Sequence, residues 1–439
     1  MPSPTQFTPP PEESYAVIGG EGFVGGALVD ALVASHGPSR VASLGLTQRR
    51  FSPDGYRFFR TDITSFESVA AALEHSGATT VFHTASPHAS ATAEVWRRVN
   101  VEGTEAVVRA CREAPGVRKL VLTSSMTVVY ESGVALKNVD ERLPRIETEE
   151  KVATYAGTKA KAEELVLDAN GKDGLLTCAL RLGGIIGPGD RQVLPGWIGV
   201  YKAGQSVFQM GDNVHLFDFV TLKNVVHAHL LAADKLDAPP VPASTFETRL
   251  PPVAATVGRR PLPTSHHPEP IDPLHPPPFD EPPLPASRNR WNQFYDLSTS
   301  NDEQLSVAGQ AFTITNGEPV YLWSLGRAIW QAYDPQQRPK WWAPLVFPSA
   351  VGMVYATVCE WVGWAQGKRP EECGVSRAYM AYVLKDMYFD IERARRLLGY
   401  EPVESLEEGI RSGVEWYKAD EERQRERAKG DGRKSLKAQ

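Results

Sequence analysis

Cysteine is scarce in this chain, and what there is does not cluster. Cys111, Cys178, Cys359 and Cys373 are four in 439 residues, with neither paired spacing nor neighbouring histidines. That excludes a disulfide framework and a zinc site, and reads as reduced thiols in a cytosol-facing protein. Excess basic charge is equally lacking. A net charge of −6, with no Lys- or Arg-rich groove or aromatic platform before the terminal tail, sets nucleic-acid binding aside. Met1 to Pro11 has no apolar stretch of the kind a cleaved signal peptide needs, and no internal repeat is present. Long apolar runs are few. The best, Trp341 to Trp364, is broken by Pro348, Gly352 and Glu360 short of the roughly 20 apolar residues of a spanning helix. Its terminal tryptophans suit either a helix lying at a membrane surface or one capping a substrate pocket. His227 and His229, two residues apart on a helix, point to different faces and suit packing better than metal ligation.

What the chain has is enough apolar material for a large core. With 42% hydrophobic and 23% charged residues it can fold as two lobes. Within it stands a proton-transfer set. Tyr155 and Lys159 are four apart and share a helix face, and Thr123-Ser124-Ser125 precedes them by about thirty residues. A lysine ammonium beneath a phenol favours its ionised form, so Tyr155 can take a hydroxyl proton while the same carbon is oxidised. Upstream, Ser14-Tyr15-Ala16-Val17-Ile18 runs into Gly19-Gly20-Glu21-Gly22-Phe23-Val24-Gly25-Gly26 and then an apolar-periodic helix. This strand, glycine turn and helix form a dinucleotide cradle. Gly19 permits the turn, Gly22 lets backbone N–H groups approach a pyrophosphate, and Gly25 lets helix and strand pack closely. Phe23 and Val24, between the second and third glycines, are expected to meet the cofactor with them.

These motifs, taken with those that follow in order, resemble the extended short-chain dehydrogenases/reductases. Thr61-Asp62-Ile63-Thr64 follows a third strand, His83-Thr84-Ala85-Ser86-Pro87 a fourth, then come Val99-Asn100-Val101-Glu102-Gly103-Thr104 and Leu120 to Ser125. The resemblance implies that Asp62 and Ile63 meet the adenine and that Thr84, Ala85 and Ser86 line the cofactor. It further implies that Asn100 props the active-site helix through water, that Ser125 holds the substrate oxygen, with Ser124 as the fallback, and that Lys159 binds the nicotinamide ribose. Ala179-Leu180-Arg181-Leu182-Gly183-Gly184 through Asp190, Gln209 to Asn213 and Leu216 to His229 narrow it to the 3β-hydroxysteroid dehydrogenase branch. Within that branch the chain looks most like the sterol-4α-carboxylate 3-dehydrogenases, over residues 14 to 237 and 311 to 418. That resemblance implies an NAD(P)-dependent oxidation of a sterol 3β-hydroxyl with loss of a 4α-carboxylate. It also implies residence on the cytosolic face of the endoplasmic reticulum, with a soluble cytoplasmic protein as the alternative. Partners so implied are the other enzymes of sterol C-4 demethylation and a second copy, docked through helices around 94–114 and 148–170. A dehydrogenase or reductase of a terpenoid or polyketide would keep every motif. A sugar-nucleotide epimerase would need basic side chains for a diphosphate, and a non-catalytic nicotinamide sensor would have no need of Tyr155.

Two departures stand out. The second strand ends Val41-Ala42-Ser43-Leu44-Gly45, so Gly45 replaces the acid that bonds the adenosine ribose. Arg49 and Arg50 follow and can pair with a 2′-phosphate or form a solvated basic loop; the lean is to NADP. Leu182 stands where the family commonly has proline, and is expected to alter the floor of the substrate pocket. The expected architecture is an α/β fold with a doubly wound parallel sheet over 12–182. A smaller substrate lobe is expected from 183–237 and 286–418, a proline-rich excursion over 238–285 and a charged tail over 419–439. A membrane-associated segment is expected at 341–364.

Overall fold

The computed structural model describes residues 13–49, 55–88, 91–130, 134–146, 154–242, 250, 253–257, 304–336, 344–367 and 376–437. Seven strands form a wholly parallel sheet: β1 (Tyr15–Ile18), β2 (Val41–Gly45), β3 (Arg57–Arg60), β4 (Thr80–His83), β5 (Lys119–Ser125), β6 (Leu176–Leu182) and β7 (Ala311–Ile314). Their order is β7-β6-β5-β4-β1-β2-β3. β1 and β4 are buried at every residue, as strands covered on both faces must be. Five helices supply the cover: α1 (Phe23–His36), α2 (Phe66–Ser76), α3 (Gly103–Glu113), α4 (Tyr155–Asp168) and α5 (Leu222–Lys235). Leu28 and Leu32 of α1 and Val225 and Ala232 of α5 share one core with Phe82, Leu180 and Phe312. On the other face Val69, Leu73, Val107 and Val166 pack against Ile18, Leu44 and Leu120. This is the doubly wound α/β fold expected. Its strand order reverses between β1 and β4, and a crevice opens there at the carboxyl ends of the strands.

A second sheet, of Val320–Tyr321, Leu216–Phe217, Met387–Phe389 and Leu136–Val139 in that order, begins the C-terminal lobe. Helices Val193–Lys202, Leu322–Tyr333 and Leu406–Lys437 complete it, through Leu194, Ile198, Leu325, Ile329, Leu406 and Ile410. The proline-rich excursion leaves and returns through an antiparallel ribbon, Val241–Pro242 against Gln304–Leu305. Part of it packs on the lobe. Thr256 donates from both its N–H and its hydroxyl to Glu318, at 2.6 Å each, and Val257 is buried. A stretch expected to run free is held by those donors and that apolar side chain; residues 258–303 lie outside the described residues.

The apolar segment starts with the strand Leu345–Phe347, paired parallel with Phe208–Met210, and continues as α6 (Ser349–Ala365). Trp341 and Trp342 lie outside the described residues. α6 turns its small residues inward: Gly352, Ala356 and Gly363 are buried, and a Cβ on Gly352 would come within 2.6 Å of Met380 Cε. Its large apolar residues face out. Val351, Val354, Tyr355, Val358, Trp361 and Val362 make one exposed stripe at helical spacing, and Trp361 and Trp364 are 74% and 79% exposed. Among the described residues no helix is long and apolar enough to cross a membrane.

Candidate active site

α4 is fixed at its first residue. Thr154 caps it, its hydroxyl accepting from the N–H of Gly157 at 3.1 Å, which puts Tyr155 at the first helical position and Lys159 one turn on, below it. The other wall is the end of β5. Ser125 accepts from the N–H of Thr127 at 3.2 Å and shares a hydrogen bond with the Thr127 hydroxyl at 2.9 Å, so its half-buried hydroxyl stays at the strand end. Ser124, the fallback, points the other way and donates to Glu163 Oε2 at 2.6 Å. Lys159 Nζ donates to the carbonyl of Thr123 at 2.6 Å. Burial pushes this ammonium down to about 8, against the charge of Glu163.

Tyr155 lies in a network that reaches α3. Its phenol hydrogen-bonds Ser86, Ser86 Oγ donates to Asn100 Oδ1 at 3.1 Å, and Asn100 Nδ2 donates to Thr158 Oγ1 at 3.0 Å. Thr158 in turn donates to the carbonyl of Tyr155 at 2.8 Å. Asn100 props α4 through its own amide. It sits in a π-helical stretch, Arg97–Glu102, just before α3, a local widening frequent at functional sites. Trp96 sets its ring edge-on to Tyr155, centroids 6.0 Å apart. Burial raises the phenol's pKa and the Ser86 bond opposes it. Lys159 Nζ is held at the Thr123 carbonyl, and the side chain whose hydrogen bond lowers the tyrosine is Ser86.

The glycine cradle fits the pyrophosphate of a dinucleotide. A Cβ at Gly19, where φ is +83°, would lie 2.8 Å from Ala85 Cα, and one at Gly25 would lie 2.2 Å from the Gly19 carbonyl oxygen and 2.6 Å from Thr84 Oγ1. Helices α2, α4 and α5 open on side-chain caps from Ser65, Thr154 and Thr221, whereas α1 has none and no acid in its first turn. Its leading N–H groups, unpaired within the helix, suit an anionic ligand. Phe23 lies over Gly189, which has φ +94°, and Val24 packs on the core. Asp62 sits at the end of β3, accepting from the Thr64 N–H at 3.0 Å and hydroxyl at 2.7 Å, bonds that hold its carboxyl below the usual range. Ile63 is buried against Gly103.

The family model described as 3-beta hydroxysteroid dehydrogenase/isomerase matches residues 16–247. The chain belongs to that family. Sterol-4-alpha-carboxylate 3-dehydrogenase erg26, decarboxylating, of Schizosaccharomyces pombe is 33% identical over 410 residues, covering 92% of this chain and 98% of that protein. The Saccharomyces cerevisiae protein of the same description is 31% identical, covering 92% and 97%. Among solved structures, the Thermus thermophilus UDP-glucose 4-epimerase complex with NAD superposes with a TM-score of 0.57 at 20% identity, covering 92% of this chain and 99% of that one. The Bacillus anthracis dTDP-glucose 4,6-dehydratase complex with NAD gives 0.58 at 13%, covering 93% and 98%. Those two likenesses carry the fold alone.

In this 3-beta hydroxysteroid dehydrogenase family member the structure joins Tyr155, Ser86 and Asn100 in one hydrogen-bond network, ties Lys159 to the end of β5, the strand that closes on Ser125, and sets Gly19, Gly22 and Gly25 with Thr84 and Ala85 at the cradle, where Phe23 and Val24 begin α1. Arg49 is exposed and Arg50 lies outside the described residues. Leu182 is buried in the sheet opposite Ser125. Sequence reasoning missed the layer beneath. Glu163 is bound by Arg181, at 2.7 Å from Nη2 and 3.1 Å from Nε, and Thr123 donates to His229 Nε2 at 2.7 Å while His229 Nδ1 donates to the Val225 carbonyl. Burial pushes His229 down to about 4, so it is neutral. Arg181, a charge inside the apolar strand Leu176–Leu182, was the available signal, since a buried charge demands a partner. A cleft of about 1190 Å³ lies elsewhere, between Asp212, Arg327, Glu407 and Lys418, and Tyr155, Lys159, Ser125 and Asn100 do not line it.

Proposed function

We propose that this protein oxidises the 3β-hydroxyl of a sterol carrying a 4α-carboxylate and releases that carboxylate as carbon dioxide. The observation that carries the reading is Lys159 Nζ on the Thr123 carbonyl at the carboxyl end of β5, two residues before Ser125, with Tyr155 one turn before that lysine on α4 and hydrogen-bonded to Ser86 beside the cradle. The family membership and the printed activity of the relatives support the substrate. When bound, a nicotinamide cofactor supplies the hydride acceptor for the carbinol carbon; Gly19, Gly22, Phe23, Val24 and Gly25 would hold its pyrophosphate, Asp62 and Ile63 its adenine, and Lys159 its nicotinamide ribose. Ser125 orients the hydroxyl oxygen and Tyr155 takes its proton. The resulting ketone is β to the carboxylate, so the C4–carboxyl bond breaks with its electron pair passing into the carbonyl. Tyr155, still beside that oxygen, returns the proton to the enolate. Asn100 and Ser86 keep the phenol in place.

The stripe on α6 supports membrane-surface attachment, and the sterol-synthesising face of the endoplasmic reticulum is the location we assign. Tryptophans favour the headgroup level, and an insoluble substrate is collected there. Trp361→Asp with Trp364→Asp is expected to abolish co-sedimentation with phosphatidylcholine vesicles while turnover of detergent-dispersed sterol persists; undiminished binding rejects the attachment. The chemical reading is tested with a 3β-hydroxy-4α-carboxysterol and the same sterol lacking the carboxylate. Reduced nicotinamide and carbon dioxide from the first support it. Turnover of neither sterol, with the cofactor bound, rejects the sterol substrate.

A further inference from the structure

Gly45 ends β2 where a doubly wound sheet ordinarily presents the acid for the adenosine ribose. The structure brings a different carboxylate to that place. Glu21, in the turn between β1 and α1, accepts on Oε1 from Ser43 Oγ at 2.7 Å and from the Tyr56 hydroxyl at 2.9 Å. On Oε2 it accepts from the main-chain N–H of Arg49 at 2.8 Å. The donors come from β2, from the approach to β3 and from the loop after β2, so three segments fix one half-buried side chain. A Cβ on Gly45 would lie 3.8 Å from Glu21 Cγ. Gly45 and Glu21 are neighbours in space, and the glycine leaves room for the glutamate.

We infer that Glu21 replaces the missing strand-end acid and makes the protein select NAD over NADP. A carboxylate accepts hydrogen bonds from ribose hydroxyls and opposes a 2′-phosphate of the same charge. Of the basic pair that argued for NADP, Arg49 gives its main-chain N–H to Glu21, and Arg50 lies outside the described residues. The inference rests on the nicotinamide cofactor proposed above and not on the sterol.

The test needs no substrate. NADH and NADPH are titrated against the full chain by cofactor fluorescence, with NADH expected to bind at least about tenfold more tightly. Glu21→Gln keeps the side chain's size and an acceptor for Ser43 but removes the charge, and should bring the two affinities to within about threefold. Arg49→Ala keeps the main-chain N–H and should leave the ratio as it is. NADPH binding as tight as NADH in the natural protein overturns the inference, as does an Arg49→Ala variant that loses NADPH alone or a Glu21→Gln variant that keeps the full ratio. The natural protein and Arg49→Ala decide even if Glu21→Gln does not fold. Failure to bind either cofactor overturns the cofactor reading and this one together, while failure to turn over sterol touches neither titration.

Discussion

Ser86 has one hydroxyl proton and two claimants. In the resting arrangement it donates to Asn100 Oδ1 and accepts from the neutral phenol of Tyr155. Once the phenol is ionised the charged oxygen is the stronger acceptor, and the Ser86 proton turns to it. Ser86 is therefore a positioning residue that favours the basic form. Ser86→Ala removes the one bond that lowers the phenol's pKa, so that pKa rises. Oxidation needs the ionised base, hence the rising limb of kcat/KM against pH should move to higher pH, with a loss at pH 7 of roughly threefold or more and recovery at the alkaline plateau. Ser86→Thr should restore the profile; an unshifted limb in the alanine variant rejects the role. At this scale the sequence exposes what is local. Tyr155 and Lys159 are legible because four residues make about one helical turn, and Gly19, Gly22 and Gly25 because the turn spaces them three apart. Glu21 on Ser43, Ser124 on Glu163 and Thr123 on His229 join residues 22, 39 and 106 positions apart, and no spacing rule predicts such pairs.

Elements carry these residues into place, and α4 carries most. Its cap sets the register of Tyr155, the base proposed above, because Tyr155 is the first residue inside it. Thr154→Ala should cost about 1 kcal/mol of stability, read by urea denaturation, and lower kcat more than cofactor affinity; Thr154→Ser should recover both. Loss of cofactor binding with kcat intact would contradict this division. Strands were legible as apolar runs bounded by glycine or polar turns, and α1 as the helix that follows the glycines. The π-helical stretch Arg97–Glu102 was not, since its periodicity on the page is that of an ordinary helix, yet it is what places Asn100 between Ser86 and Thr158. α6 was read as apolar, but which side faced out was settled by packing. Small residues at 352, 356 and 363 let it approach the body closely and leave the large ones outside.

Across the whole molecule the second sheet joins chain segments more than 200 residues apart, and its bonds end on buried carboxyls. Asp218 lies beside Met387–Phe389: its N–H donates to the Met387 carbonyl at 3.0 Å, and its Oδ2 accepts from the Phe389 N–H at 2.7 Å. Burial pushes its pKa up to about 8, with Glu318 and Asp390 adding to the rise and the Phe389 bond opposing it. Asp140, which follows the neighbouring strand Leu136–Val139, is raised to about 7 by burial and by Glu141. In the unfolded chain both ionise near pH 4. From there to pH 7–8 the folded state holds protons that the unfolded state has lost, so the stability these groups contribute falls as pH rises and is lost through pH 7–8. Glu21, Tyr155 and the cradle lie on the other sheet, so cofactor binding should outlast the loosening of this one. The unfolding midpoint should therefore decline between pH 6 and 8.5, and Asp218→Asn, which cannot ionise, should flatten that decline. Parallel curves for the natural chain and the variant would show that Asp218 is ionised in the folded protein across this range.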